Sequence, residues 1–418
     1  MVKAQSLDAD LKFRFGKQTL QSTDLLVDTA QLFSNENGYG FDFDTAKNVQ
    51  INDMGFNGDN APIYFSVRVP EGNYKVKIDF LASNVESTMV LKAESRRLML
   101  DTLVQPNTTF FKSIVLNIRT PKISDDKKII LKERELTYLN WDNKLTLEFL
   151  GNATVSAIEI TPITEITNIF LAGDSTVTDQ DLEPWASWGQ FITHYFTNES
   201  VVANYAYSGA SLSSFKGSHR SEKIKSLLQK GDYLLIQFGH NDQKQKGVND
   251  GPWLNYTQLL MEFIKAAREK EAIPILLTPV QRRFFGEDGK LKPTHGDYPN
   301  AVRAVAEKMN VPLIDLTKIT TTLYQSWGDK ASRKAFVQYP AHTFPGQDTA
   351  LEDNTHFNAF GANEIALCII QDIKKQGLSM GSYLKENIPK YNPAFPNKVT
   401  SWTLPMSRRF EPIKPDGN

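Results

Sequence analysis

A chain of 418 residues with 40% hydrophobic content can bury more than one core, and its length suggests two or three domains. A formal net charge of -1 argues against a nucleic-acid binder, which carries a basic surplus. The one cysteine, Cys368, excludes an internal disulfide and a cysteine-rich metal cluster, and its apolar neighbours mark it as a buried structural thiol. No apolar run reaches the roughly 18 residues of a membrane span. The opening Met1-Val2-Lys3-Ala4-Gln5 lacks the charged and apolar regions of a leader, and is compatible with a start after a removed one.

In chain order, residues 13–160 read as all-β. Tyr74, Val76, Ile78 and Phe80 alternate with Lys75, Lys77 and Asp79, a period of two with one face buried. Leu145, Leu147 and Phe149 repeat the pattern, and further strands are expected at 64–69, 88–93, 114–118 and 155–160. Turn-rich stretches such as Pro70-Glu71-Gly72-Asn73 separate them. Many short strands at this spacing predict a sandwich, placed at 1–163. After residues 161–167 short apolar runs alternate with amphipathic stretches. Strands are predicted at 169–171, 201–203, 233–236, 273–277 and 311–316, and helices at 185–196, 221–229, 256–270, 297–309 and 362–375. Repeated β-α units predict a covered parallel sheet over 164–418, with a polar tail from Met380 onward.

Ligands of such a sheet bind at the carboxyl ends of its strands. Gly173-Asp174-Ser175-Thr176 follows the first strand, Gly209 the second, and Gly239-His240-Asn241-Asp242 the third. Asp353-Asn354-Thr355-His356 lies in a loop before the last helix. A serine hydroxyl needs a base to take its proton, and an imidazole titrates near neutrality. Ser175, His356 and Asp353 therefore read as nucleophile, base and orienting carboxylate. The amides of Ser175 and Gly209 and the Asn241 side chain read as oxyanion donors. Singly each segment is a common turn or cap; together, on one sheet edge, they point to ester hydrolysis. No Gly-x-Ser-x-Gly elbow and no His-Glu-x-x-His zinc motif occurs. His240 and Asp242 read as shaping the Asn241 loop, with cation binding as the other option.

At these residues the chain resembles the SGNH, or GDSL-type, hydrolases over about 166–377, with Ser175, Gly209, Asn241 and His356 at the four named positions. Thr176 after the serine, the block Gln237-Phe238-Gly239-His240-Asn241-Asp242, and Thr278-Pro279-Val280-Gln281-Arg282-Arg283-Phe284 resemble rhamnogalacturonan acetylesterases in particular. The resemblance implies a flavodoxin-like three-layer α/β/α fold, no metal or other cofactor, a secreted or periplasmic setting, and an acetylated pectic polysaccharide or oligosaccharide as substrate. It also implies a carbohydrate-binding-module-like, galactose-binding-type sandwich ahead of the esterase. Arg282 and Arg283 read either as a grip on a uronate carboxylate or as a solvated pair. Trp185 and Trp188 read as a sugar platform or as core. His240 is a further candidate substrate contact, and His295 and Tyr298 are candidate cleft residues. Other acylated glycans such as acetylxylan, or a non-catalytic glycan-binding protein on the same scaffold, remain open readings, as does a purely structural sandwich.

Overall fold

The computed structural model describes residues 10–17, 21–81 and 86–416; the opening pentapeptide lies outside them. The chain forms two compact units. One comprises Met1–Thr120, Lys132–Ile166 and Asn198–Val201, and the other Pro121–Leu131, Thr167–Thr197 and Val202–Asn418.

The first unit is β-rich. Its larger sheet runs Thr109–Ile118, Gly72–Leu81, Thr154–Ile163, Leu11–Phe15, Asp24–Val27, with the Gln50–Asn52 and Gly55–Asn57 pair attached to Thr154–Ile163. Its smaller sheet runs Tyr39–Asp42, Ile63–Arg68, Lys144–Gly151, Ser87–Ala93, Arg97–Val104. Phenylalanines of both sheets meet edge to face: Phe15 with Phe65 at 5.4 Å and Phe56 with Phe149 at 5.4 Å between ring centroids. Such contacts add to the area term of burial and fix how the two faces interdigitate. Most of the phenylalanines are thus core. Trp141 is half-buried, with the Arg119 guanidinium 4.9 Å from its ring centre.

The second unit is built on a five-stranded sheet ordered Ser200–Asn204, Thr167–Gly173, Tyr233–Gln237, Ile273–Leu277, Leu313–Ile314. In chain order this is 2-1-3-4-5, the flavodoxin-like arrangement, whose ligand crevice lies where the order reverses, between strands one and three. Those strands pair in parallel, Leu171 opposite Leu235 and Gly173 opposite Gln237. The near-continuous apolar runs suit strands covered on both faces. Helices α1 (Trp188–Ile192), α2 (Leu212–Gly217), α3 (Arg220–Leu227), α4 (Thr257–Arg268), α5 (Tyr298–Met309), α6 (Leu316–Ser332) and α7 (Ala359–Gln376) fall into two packed groups. α1, α6 and α7 form one group, and α2 to α5 the other. Among the described residues no helix is long and apolar enough to cross a membrane.

Three of the stretches assigned from sequence depart from their expectation. The helix expected at 185–196 is an α-turn at Trp188–Ile192 continued as a 3₁₀ turn to Tyr195, because the Ala186 amide is taken by the Phe357 carbonyl at 2.8 Å. The strand expected at 311–316 shrinks to Leu313–Ile314, since the Asp315 side chain caps α6 through the Lys318 amide. Asp353 and His356 lie on a strand, Leu351–Phe357, paired antiparallel with Phe336–Tyr339, and not in a loop.

Candidate active site

The first strand ends at Gly173, and the next residues leave the sheet at the reversal point. A Cβ at Gly173 would lie 2.5 Å from Val177 Cγ2, so glycine lets the turn fold tightly onto itself. Asp174 accepts from the Thr176 amide at 2.9 Å and the Thr176 hydroxyl at 2.8 Å, and Gln180 Nε2 donates to the Ser175 carbonyl at 2.8 Å. Gln237, on the third strand, donates to Thr176 Oγ1 at 2.6 Å and accepts from Trp188 Nε1 at 3.0 Å. Asn204 Nδ2, at the end of the second strand, donates to the Val177 carbonyl at 2.7 Å, so the serine sits on a backbone held from both neighbouring strands.

His356 Nε2 is 2.8 Å from Ser175 Oγ, and His356 Nδ1 is 2.7 Å from Asp353 Oδ2. The second Asp353 oxygen accepts from the amides of Thr355 at 2.7 Å and His356 at 3.0 Å. This local turn is where the strand register breaks, Gln338 facing Glu352 while Phe336 faces Phe357. Burial pushes the Asp353 carboxyl up, but the His356 ring, the His356 amide and the Lys414 charge pull harder and set it at about 2. Trp185 stands edge-on to the His356 ring at 5.9 Å.

Gly209 has φ +81°, a left-handed bend that glycine adopts without strain. Its neighbour Ala210 accepts from Asn241 Nδ2 at 3.0 Å, which brings the second and third loops together. Asp242 accepts from the Leu212 amide at 2.8 Å at the start of α2. Burial, with a push from Asp174 and against the pull of that amide, raises the Asp242 carboxyl to about 7. His240 Nδ1 lies 3.3 Å from Asp174 Oδ2, and the His240 ring stacks edge-on against His295 at 4.4 Å. Burial and the charges of Arg282 and His356 lower the His240 imidazole against the pull of Asp174; burial, His240 and Arg282 lower His295 further.

The other sequence candidates divide. Arg282 is half-buried, donating to the His240 carbonyl at 3.2 Å and lying 3.4 Å from His295 Nε2. Arg283 is 4% exposed and bonds Asn354 Oδ1 at 2.6 Å, Ser332 Oγ at 3.1 Å and Asp329, so it braces the turn that carries His356. Trp188 is 0% exposed and committed to Gln237, so the platform expectation is corrected: it is core beneath Thr176. His240, at 1% exposure, lies under the site and offers no open face to substrate. His295 and Tyr298 are also buried, Tyr298 donating to the Asp242 carbonyl at 3.1 Å. Sequence reasoning missed Gln180, Gln237, Lys244 and Lys414, which carry no motif of their own; only Gln237, within the quoted third block, stood beside a signal.

The profile of the GDSL-like Lipase/Acylhydrolase family matches residues 171–363. The rhamnogalacturonan acetylesterase RhgT of Bacillus subtilis (strain 168) is 42% identical over 218 residues, 52% of this chain and 93% of RhgT. The chain belongs to the GDSL-like lipase/acylhydrolase family. It is a carboxylic ester hydrolase. The uncharacterized esterase YxiM of the same organism is 23% identical over 387 residues, 88% of this chain and 91% of YxiM. The crystal structure of YxiM aligns with a TM-score of 0.48 at 22% identity, covering 89% of this chain and 99% of that one.

Proposed function

We propose that this hydrolase removes O-acetyl groups from pectic rhamnogalacturonan, through an acyl-enzyme on Ser175. In this reading Ser175 Oγ attacks the acetyl carbonyl as His356 Nε2 takes its proton. Asp353 holds the other ring nitrogen protonated and stabilises the imidazolium. The carbonyl oxygen gains charge as the tetrahedral centre forms, and the amides of Ser175 and Gly209 with Asn241 Nδ2 serve as its donors. His356 then protonates the departing sugar hydroxyl. Water repeats the sequence on the acetyl-serine, with His356 again the base, and releases acetate. The substrate part rests on the likeness to RhgT and on a cationic group, Arg282, beside the site. A polymeric substrate of this kind would be met outside the cytoplasm, which is the setting proposed for the enzyme.

The observation that carries the reading is the single file Ser175–His356–Asp353, at 2.8 and 2.7 Å, in a chain of this family. The test is acetate release from acetylated rhamnogalacturonan beside acetylated xylan, with Ser175→Ala as blank. Release from the pectic polymer alone, absent in the blank, is the expected result. Release from xylan alone overturns the substrate, and release that survives in Ser175→Ala overturns the nucleophile.

A further inference from the structure

Three cationic side chains from three distant segments converge on the residues around Ser175. Lys244, on the 3₁₀ turn after the third-strand loop, has its ammonium 3.4 Å from Asn241 Oδ1. Arg282, from the loop after the fourth strand, reaches the His240 carbonyl at 3.2 Å. Lys414, from the C-terminal tail, lies 3.5 Å from Asp353 Oδ2. Each head group thus touches a residue of the site, while Lys244 and Lys414 remain exposed and Arg282 half-exposed. Their charges act on one another: burial, Arg282 and Lys414 together press the Lys244 ammonium below its ordinary range, against the pull of Asp174. Like charges repel, and an anion received among them relieves the repulsion.

Lys414 is not there by the wandering of a loose end. The Glu183 amide donates to the Arg409 carbonyl at 2.8 Å and the Glu411 amide to the Glu183 carbonyl at 3.0 Å, so the tail joins this segment like an added strand. The Ser407 amide donates to Glu183 Oε1 at 3.0 Å, Arg409 pairs with Asp181, and the Phe410 ring lies 4.9 Å from Phe344. Trp185 Nε1 donates to the Glu411 carbonyl at 3.2 Å, and the same indole walls His356. The segment that walls His356 thus also anchors the tail as far as Glu411, shortly before Lys414.

We propose that Lys244, Arg282 and Lys414 form a carboxylate subsite that reads an ionised uronate next to the acetylated hydroxyl, making the C-terminal tail a determinant of specificity. The inference rests on the deacetylase reading above and adds to it the residues that select an acidic sugar. Arginine offers the planar fork that matches a carboxylate, and the two lysines add point charges from two distant segments of the chain.

The test compares acetylated rhamnogalacturonan as the free acid and as its carboxyl methyl ester, in the wild type, Lys244→Met and Lys414→Met. The wild type is expected to prefer the free acid, with a KM that rises with added salt. In each variant the ratio of kcat/KM, acid over ester, falls about tenfold, carried by KM. A ratio that does not change in either variant overturns the subsite. So does an equal loss on both forms, which marks Lys414 as a positioning residue for Asp353. If the wild type deacetylates neither polymer, the substrate reading fails, and the subsite is judged separately with 4-nitrophenyl acetate. Galacturonate oligomers are then expected to inhibit that hydrolysis in a salt-sensitive way that Lys414→Met relieves; no inhibition overturns it.

Discussion

Two buried carboxylates of the candidate site are driven in opposite directions, and each gives a test. Asp353 sits at about 2 because the His356 ring and amide, with Lys414, outweigh its burial. A depressed carboxyl contributes stability that is complete above its unfolded value of about 4 and is lost as pH falls through the folded value. The gap in unfolding free energy between the wild type and Asp353→Asn should therefore close between about pH 4 and pH 2 in urea titrations. The same substitution is expected to lower kcat by roughly 10³- to 10⁴-fold, since the ring loses its tautomer. Asp242, raised to about 7 by burial, has the opposite sign. Its folded form keeps a proton the unfolded chain has released, so it costs stability as pH rises from about 4 to about 7. Asp242→Asn should gain on the wild type across that window, a trend that thermal unfolding at several pH values would read. Asn241→Ala is expected to cost about 2.7–4 kcal/mol in kcat with KM nearly unchanged, if its amide acts only on the developing oxyanion. That Ser175, Asp353 and His356 meet in space was legible because each lies in a short polar motif, Gly-Asp-Ser or Asp-x-x-His. Trp188 was not: an aromatic beside a nucleophile loop reads the same whether its ring is open or, as here, 0% exposed over Gln237.

At the level of elements, alternation carried the reading furthest. The period-two strands of the first unit and the apolar strands of the second lie within a few residues of their predicted bounds, as with Gly72–Leu81 and Tyr233–Gln237. What failed were elements whose cause is not periodic. Helix α6 holds Thr320, Thr321 and Thr322, poor helix formers that here return their hydroxyls to the carbonyls of Leu316, Thr317 and Lys318 at 2.6, 2.7 and 3.3 Å. The hairpin bearing His356 was unreadable because its register breaks at the functional turn. Close approach is another such cause. A Cβ at Gly189, in α1, would meet the Val177 carbonyl at 2.0 Å and Asn204 Nδ2 at 2.5 Å. Gly189→Ala must push α1 away from the loop that carries Ser175, at a cost of about 1–3 kcal/mol in stability. Urea unfolding followed by Trp188 fluorescence, with kcat measured on an aryl acetate, would show both the loss and its effect on Ser175.

For the molecule as a whole, the change from strands to alternating units near residue 165 was visible in composition, but the traffic across it was not. Pro121–Leu131, flanked on both sides by sandwich sequence, belongs to the second unit. The Ile130 amide donates to the Ser218 carbonyl at 3.0 Å, Lys127 pairs with Glu222 at 2.6 Å, and Lys223 reaches the Lys122 carbonyl. Ile129 is 1% exposed, and Ile129→Ala should lower stability by about 2–4 kcal/mol, read in the transition reported by Trp185 and Trp188. Such a peptide has no period or motif to announce it, because only the far side of the contact explains its burial. It also sets how the two units can be inherited. A single crossover anywhere between them strands residues 121–131 with the wrong parent, so a recombinant keeps both units from one ancestor or begins with a wound in the second.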